Sequence, residues 1–284
     1  MHESIIEKLL YKVVKRHIAG TTISSAIEKA KEFNAKDVPV SIVFLSSDVD
    51  TVAKARYVAS TYSELIHRIA RFGLKASVQV PLDKIGYNIS KKSAIGYLKN
   101  LVNLGNKLGV FIWLELPEKN VDLEDLPYGK GVGFAISMAA LADGYAYKLT
   151  AENPAIKVML SPNNAEAQGK KGTEKSKKES RKKEQEISRI VEELEQKVNQ
   201  LVVQFPTESL ISLFAKSGGH KKNLIFEFQL GYEKKHLAKM LKKNWRVSVY
   251  VPFGKGWADY AATKLQGHYT HLLVSRFLEG KKVE

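Results

Sequence analysis

The 284-residue chain contains no cysteine, and this absence removes several classes of site at once. Disulfides, thiolate zinc sites, iron–sulfur clusters and cysteine nucleophiles all depend on that side chain. Long apolar runs are also missing, since no stretch approaches the roughly 20 residues that a membrane span needs. Residues 1–4 lack the charged and then apolar pattern of a signal peptide, so we expect a cytoplasmic protein.

Histidine is scarce and scattered, with seven residues in the whole chain. None of them forms the His-x-x-x-His or His-Glu-x-x-His pair that zinc enzymes use, so we predict no metal site. The chain also lacks Gly-x-Gly-x-x-Gly and the P-loop, which are the phosphate-binding motifs of open doubly wound sheets. An open sheet is therefore the second choice of fold.

Positive charge, by contrast, is abundant, with 45 Lys and Arg against 30 Asp and Glu, a net charge of +15. Residues 1–168 carry 21 basic and 17 acidic side chains, or +4, while residues 169–284 carry 24 and 13, or +11. A field of this sign attracts polyanions such as nucleic acid, an acidic protein or an anionic membrane. The alternative is a Lys-rich surface that only keeps the protein soluble or heat-stable.

Short apolar runs alternate with stretches of helical periodicity from residue 40 onward, after two helices at the N-terminus. Eight strands, each followed by a helix or a loop, over about 250 residues are the pattern of a (β/α)8 barrel. We therefore predict one α/β domain over residues 1–284, a barrel of the TIM type. The predicted strands are 40–45, 76–80, 110–115, 132–136, 156–160, 201–205, 224–228 and 246–251.

A polar insertion at 161–184 follows the fifth predicted strand, and its 168–184 part has no apolar residue. Such a segment cannot pack in a core, so we expect it to be flexible. Since the segment lies on the ligand face of the barrel, we predict a cationic arm for phosphate backbones, with a solvated loop as the alternative. Its basic residues are Lys170, Lys171, Lys175, Lys177, Lys178, Arg181, Lys182 and Lys183.

Two runs near the C-terminus match a known family. Residues 226–231 read Phe-Glu-Phe-Gln-Leu-Gly, and residues 249–254 read Val-Tyr-Val-Pro-Phe-Gly, followed by Trp257 and Tyr260. They resemble the end of the flavin-dependent proline dehydrogenases, and weaker matches at 19–45 and 86–112 extend the resemblance over most of the chain apart from the insertion. The resemblance implies a distorted (β/α)8 barrel of the proline dehydrogenase kind, FAD as cofactor and oxidation of L-proline.

The resemblance also implies a set of substrate and flavin positions, and many of them hold other residues here. The family's strand-two lysine matches Gln79, its strand-three aspartate matches Glu115, and Lys157 begins a strand-five motif that lacks the family's lysine and glycine. Residues 204–207 lack the family's flavin-contacting histidine. The arginine pair that binds the proline carboxylate falls at 263–264, where Thr and Lys cannot form the same bidentate clamp. The candidate site residues are Gln79, Glu115, Lys157, Glu227, Tyr250, Tyr260 and Lys264.

These substitutions lead to the prediction of a barrel that has lost proline oxidation, holds no cofactor and binds a polyanion, most concretely ribosomal RNA or the ribosome. Two alternatives stay open. One is an active FAD-dependent proline dehydrogenase, and the other is an inactive subunit that supports an active paralogue. In the main prediction, further lysines supplement the arm: Lys221, Lys222, Lys234, Lys235, Lys242 and Lys243.

Overall fold

The computed structural model describes residues 11–12, 14–118, 121–142, 149, 155–160, 174–216, 223–231 and 233–264. In this part of the chain, eight parallel strands close into a barrel in the order β1 to β8. The predicted fold is therefore confirmed, and each strand agrees with its predicted range to within two residues. The strands are β1 Val40–Phe44, β2 Ala76–Pro81, β3 Ile112–Glu115, β4 Val132–Ser137, β5 Ala155–Met159, β6 Gln200–Gln204, β7 Leu224–Gln229 and β8 Val247–Phe253.

Closure of the barrel depends on the pairing of the first strand with the last. Val40 lies opposite Val249 and Phe44 opposite Phe253, in parallel register. Every residue of β1 and β8 is buried, because side chains on one face pack on the helices and those on the other fill the barrel. Such strands read as nearly continuous apolar runs, which is why the sequence located them well.

Helices surround the barrel, and local polar residues fix where several of them begin. The Thr22, Thr51 and Ser90 hydroxyls each accept a hydrogen bond from a backbone N–H in the first turn of the helix that follows, which satisfies a donor that the helix itself cannot pair. The helices in the described ranges are α1 Ile23–Asn34, α2 Val52–Arg71, α3 Lys91–Leu108, α4 Met138–Ala142, α5 Glu174–Glu195, α6 Glu208–Lys216, α7 Glu233–Lys242 and α8 Trp257–Lys264.

Helix α5 corrects the prediction for the basic insertion. The backbone is helical from Glu174, about ten residues earlier than expected, so residues 174–184 are not an irregular arm. Ile187, Val191 and Leu194 are buried at helical spacing and hold the second half of α5 against the barrel. Because Lys, Glu and Arg are good helix formers, the polar first half continues the same helix. Lys170 and Lys171 lie outside the described residues.

The barrel interior has three layers, and the middle one is polar. Toward the amino ends of the strands lies an apolar layer around Trp113. Toward the carboxyl ends lies an aromatic cluster, which includes Phe205, Tyr250, Trp257 and Tyr260. Between them lie the buried polar side chains described below. In the described part of the chain, no helix is long and apolar enough to cross a membrane.

Candidate active site

A fully buried lysine lies at the centre of the barrel. Lys157, from β5, places its Nζ 3.0 Å from both carboxylate oxygens of Glu227 on β7. The same atom donates to Ser41 Oγ on β1 at 3.0 Å and to Gln79 Oε1 on β2 at 2.9 Å. The Trp113 ring centroid is 4.9 Å away, within the range of a cation–π contact. Four strands thus converge on one ammonium group.

The environment of Lys157 perturbs its proton equilibrium. Burial lowers the pKa of Lys157, because the loss of water disfavours the ammonium more than the charges of Glu227 and Glu115 favour it. Every neighbour within hydrogen-bond distance of Nζ presents an oxygen acceptor, so the geometry fits the ammonium form. An ion pair of this kind is held together by its hydrogen bonds as much as by its charges.

Glu227 has other donors besides the lysine. Gln204 Nε2, at the end of β6, donates to Glu227 Oε2 at 2.6 Å, and Ser248 Oγ donates to Glu227 Oε1 at 3.3 Å. The carboxylate is therefore satisfied on both oxygens although only 1% of the residue is exposed. Lys157 and Glu227 are therefore paired and hydrogen-bonded within the barrel interior, away from solvent.

Gln79 connects this buried pair to the carboxyl end of the barrel. Its Oε1 accepts from Lys157, so the amide can present only its nitrogen on the other side. That nitrogen donates to Glu115 Oε2 at 2.6 Å and lies 3.7 Å from the Met159 sulfur. Glu115 is the last residue of β3 and is partly exposed. The lysine thus orients the amide, and the amide positions the carboxylate.

Two buried tyrosines lie beside this network. The Tyr62 hydroxyl on α2 donates to the Gln79 carbonyl at 2.7 Å and accepts from the Phe44 N–H at 3.1 Å. Burial raises the pKa of both Tyr62 and Tyr250, and the negative charge of Glu115 adds to both shifts. Both phenols are therefore neutral across the physiological pH range.

The residue after β6 is strained. Phe205 has a φ of 58°, in the left-handed region that bulky side chains rarely adopt. Its ring packs edge-on against Tyr250, with centroids 5.3 Å apart, and its N–H donates to the Glu227 carbonyl at 2.8 Å. Strain of this kind persists where the surrounding structure enforces it, often at functional sites. Nearby, Gln229 Nε2 donates to the Tyr260 hydroxyl at 2.8 Å.

Most candidate residues of the sequence meet in this region. The structure joins Gln79, Glu115, Lys157 and Glu227 in one hydrogen-bonded network, and it places two more candidates, Tyr250 and Tyr260, in the aromatic cluster. Lys264 is the last residue of α8, and its side chain is outside the described part. The sequence analysis did not select several other residues of this region. For three of them, Ser41, Gln204 and Ser248, a polar side chain within an apolar strand could have indicated a role in the barrel interior. The missed residues are Ser41, Trp113, Gln204, Phe205 and Ser248.

The basic residues of the insertion have no contact with this network in the described part of the structure. Arg181, Lys182 and Lys183 are exposed on α5. For Lys175, Lys177 and Lys178 only the helical backbone is described, and the remaining two, together with Lys221 and Lys222, fall outside the described ranges. A contact between these basic side chains and a polyanion therefore stays a prediction from the sequence.

Comparison with known proteins adds a second line of evidence. No family model matches the chain. Proline dehydrogenase 1 of Bacillus subtilis (strain 168) is 22% identical over 254 residues, which cover 87% of this chain and 83% of that protein. Proline dehydrogenase of Deinococcus radiodurans is 22% identical over 276 residues, covering 93% and 88%. The chain resembles the proline dehydrogenases.

Solved structures show the same barrel. Proline utilization A (PutA) from Bdellovibrio bacteriovorus, inactivated by N-propargylglycine, superposes with a TM-score of 0.71 at 18% identity, covering 97% of this chain and 35% of that one. PutA from Bradyrhizobium japonicum, as the D778Y mutant, gives 0.59 at 17% identity, covering 96% and 31%. The chain thus spans about a third of the length of these PutA chains, and the match shows the (β/α)8 fold.

These findings overturn the functional prediction from charge. The prediction of a non-catalytic barrel that binds RNA or the ribosome is wrong, because proline dehydrogenases match the chain over most of its length and nothing in the comparisons supports RNA binding. The expected absence of a cofactor is likewise unsupported, since the resemblance favours FAD. Net charge bears on solubility and on nonspecific association, and here it led to a functional prediction that the comparisons contradict.

Proposed function

We propose that the chain is a flavin-dependent oxidoreductase that oxidises the C–N bond of proline or a related cyclic amine. The observation that carries the proposal is the match to proline dehydrogenases over 87% and 93% of the chain. Glu115, through which the polar network reaches the carboxyl end of the strands, supports it, because ligands of such barrels bind at that end. Because the relatives are only 22% identical to this chain, we infer the substrate from the side chains of its own site.

The residues at the strand ends fit the chemistry of a flavin ring. Met159 at the end of β5 is partly exposed and offers apolar surface to an aromatic ring system, whereas Phe205 after β6 is buried against Tyr250. Ser46, just after β1, has a buried Oγ without a hydrogen-bond partner in the described part of the structure. A buried hydroxyl of this kind suits a polar ligand atom, because leaving it unpaired is unfavourable. We expect Met159 to contact the ring and Ser46 to bind a polar atom of the ligand.

The proposed reaction balances with FAD as the oxidant. When bound, FAD would supply the oxidant: it would take up a hydride, that is two electrons and one proton, from the C–H bond that breaks, while the N–H bond would lose its proton to water as the C=N bond forms. The chain's own contribution is orientation. Glu115, held by Gln79, accepts a hydrogen bond from the substrate nitrogen, and the neutral Tyr250 phenol borders the same space. Phe205 and Tyr260 help to exclude water from the reacting atoms.

The test is the flavin spectrum of the purified full chain. We expect yellow protein, or uptake of added FAD, and bleaching of the flavin absorbance when L-proline or L-prolinamide is added without oxygen. Glu115→Gln should slow the bleaching about tenfold or more, because it removes a charge-assisted hydrogen bond to the substrate nitrogen. Glu118→Gln is the matched control, since Glu118 is an exposed carboxylate three residues further along.

Two results would refute the proposal. One is colourless protein that takes up no FAD. The other is a flavin-loaded protein whose absorbance is unchanged by proline, prolinamide and pyrrolidine alike.

A further inference from the structure

We infer that residues 11–18 form a displaceable lid over the carboxyl end of the barrel, and that its opening admits small molecules to the aromatic cluster there. In the described part of this segment, residues 11, 12 and 14 are helical and residues 15–17 form a turn. The inference goes beyond the proposed function, because it concerns how a ligand gains access to the barrel rather than which ligand binds.

The cluster under this lid includes side chains that point into the barrel. On β1, Ser41 faces inward, since its hydroxyl accepts a hydrogen bond from Lys157. Val43 lies on the same face of the strand, two residues closer to the carboxyl end. On β8, Ser248 faces inward toward the buried carboxylate, and Tyr250 follows it at the same spacing. The upper layer of the barrel interior is therefore built partly from Val43 and Tyr250.

Two apolar side chains of the lid pack in that layer. Val14 and Ile18 are 0% and 3% exposed, and they belong to the same buried cluster as Val43 and Tyr250. The Tyr11 ring adds an edge-on contact with Trp257 at the start of α8, with centroids 5.4 Å apart. The lid therefore lies across the end of the barrel at which such barrels bind their ligands.

A buried histidine connects the lid to the end of β7. His17 Nδ1 lies 3.0 Å from the Leu230 carbonyl, so this nitrogen carries the proton and donates it. Arg16 Nε donates to Nε2 of the same ring at 2.8 Å. Gly231 leaves room for the imidazole, because a Cβ at this position would lie 2.6 Å from His17 Nδ1. The lid thus reaches from β1 and β8 to the end of β7.

Backbone hydrogen bonds anchor the chain directly after the lid. The Ala19 N–H donates to the Pro252 carbonyl at 2.8 Å, and the Gly254 N–H donates to the Gly20 carbonyl at 2.9 Å. The lid contributes no strand to the closed barrel, so its displacement leaves all eight strand pairings in place. A segment that is held by side-chain packing beside a fixed anchor can open locally while the rest of the protein stays folded.

Thiol labelling measures this opening without a background, because the chain has no native cysteine. Val43→Cys places a thiol under the lid, and Ala94→Cys places one on the buried face of α3; both positions are buried. The probe is iodoacetamide, a small neutral reagent, added to each full-length variant without denaturant. We expect Val43→Cys to react about 100-fold faster or more, because lid opening exposes it whereas Ala94→Cys requires unfolding of the core.

Weakening the lid should accelerate labelling at the first position alone. Val14→Ala removes apolar contacts of the lid, so it should raise the labelling rate of Val43→Cys about tenfold and leave that of Ala94→Cys unchanged. Ile18→Ala is a second variant with the same expected result. The matched control is Lys15→Ala, on the exposed face of the lid, which should change neither rate.

Three results overturn the inference. They are labelling of Val43→Cys no faster than that of Ala94→Cys, lid variants that leave the rate of Val43→Cys unchanged, and lid variants that accelerate both thiols equally. The last result indicates a loss of global stability rather than opening of a lid. Since the labelling does not require FAD, lid-dependent labelling of a protein that takes up no FAD supports the inference and refutes the proposed function alone.

Discussion

Replacing Lys157 with Met tests how the buried ion pair contributes to stability. Methionine has a similar length and volume, so the change removes a charge without opening a large cavity. Glu227 would then remain buried, with Gln204 and Ser248 as its remaining described donors. Removing one partner of a buried pair costs about 3–5 kcal/mol of unfolding free energy, because the other charge is left uncompensated.

The expected loss is large enough to measure by heat or by urea. At about 2–4 °C per kcal/mol for a chain of this size, Lys157→Met should lower the Tm by about 6–20 °C. The matched control is Lys29→Met, which breaks an exposed pair with Glu32 on α1. An exposed pair contributes about 0–1 kcal/mol, so the control should change the Tm by no more than a few degrees.

A double variant separates the charge effect from packing. Lys157→Met combined with Glu227→Gln leaves a neutral amide where the buried carboxylate was, so it should recover much of the lost stability. The reasoning is contradicted if Lys157→Met is no less stable than Lys29→Met, or if the double variant is no more stable than Lys157→Met. In either case the uncompensated charge of Glu227 does not destabilise the folded state.

Two further predictions concern the backbone and the tyrosines. Gly254→Ala should destabilise the barrel by about 2 kcal/mol or more, since a Cβ at its φ of +132° would collide with the Leu45 carbonyl, whereas Gly73→Ala meets no atom and should cost only about 1 kcal/mol; equal Tm losses would contradict this. Because the folded state keeps protons on Tyr62 and Tyr250 that the unfolded chain releases above pH 10.0, their contribution to stability should fall as pH rises beyond that value. In a titration followed by phenolate absorbance, the Tyr62 and Tyr250 phenols should ionise only when the protein unfolds. The Tyr62→Phe and Tyr250→Phe variants should each lack their part of this rise in absorbance.

The barrel itself could be predicted from the sequence because its signals are local. Apolar runs of five to seven residues, helical periodicity between them and polar N-caps such as Thr22 each act over a few residues. The start of α5 could not be located in this way, since a Lys- and Glu-rich segment is compatible with both a solvated loop and a helix. Packing of Ile187, Val191 and Leu194 on the barrel favours the helix.

The site was only partly predictable, for a related reason. The resemblance supplied Gln79, Glu115, Lys157 and Glu227 as separate positions on four strands. Whether their side chains touch depends on how the strands are staggered around the barrel, and no local pattern encodes that. The strained φ of Phe205 was also invisible, because the surrounding fold enforces it against the residue's own preference.

By itself, the sequence determined the eight strands, their alternation with helices and the excess of positive charge, because these follow from the residues and their spacing. Only the tertiary structure decided which of the charges matter inside the barrel. Lys157 and Glu227 neutralise each other in the interior, and at the carboxyl end the described hydrogen-bond partner of Glu115 is the neutral amide of Gln79. Net charge sums over the whole surface, whereas a ligand responds to the few groups within its reach, and closure of the barrel selects those groups.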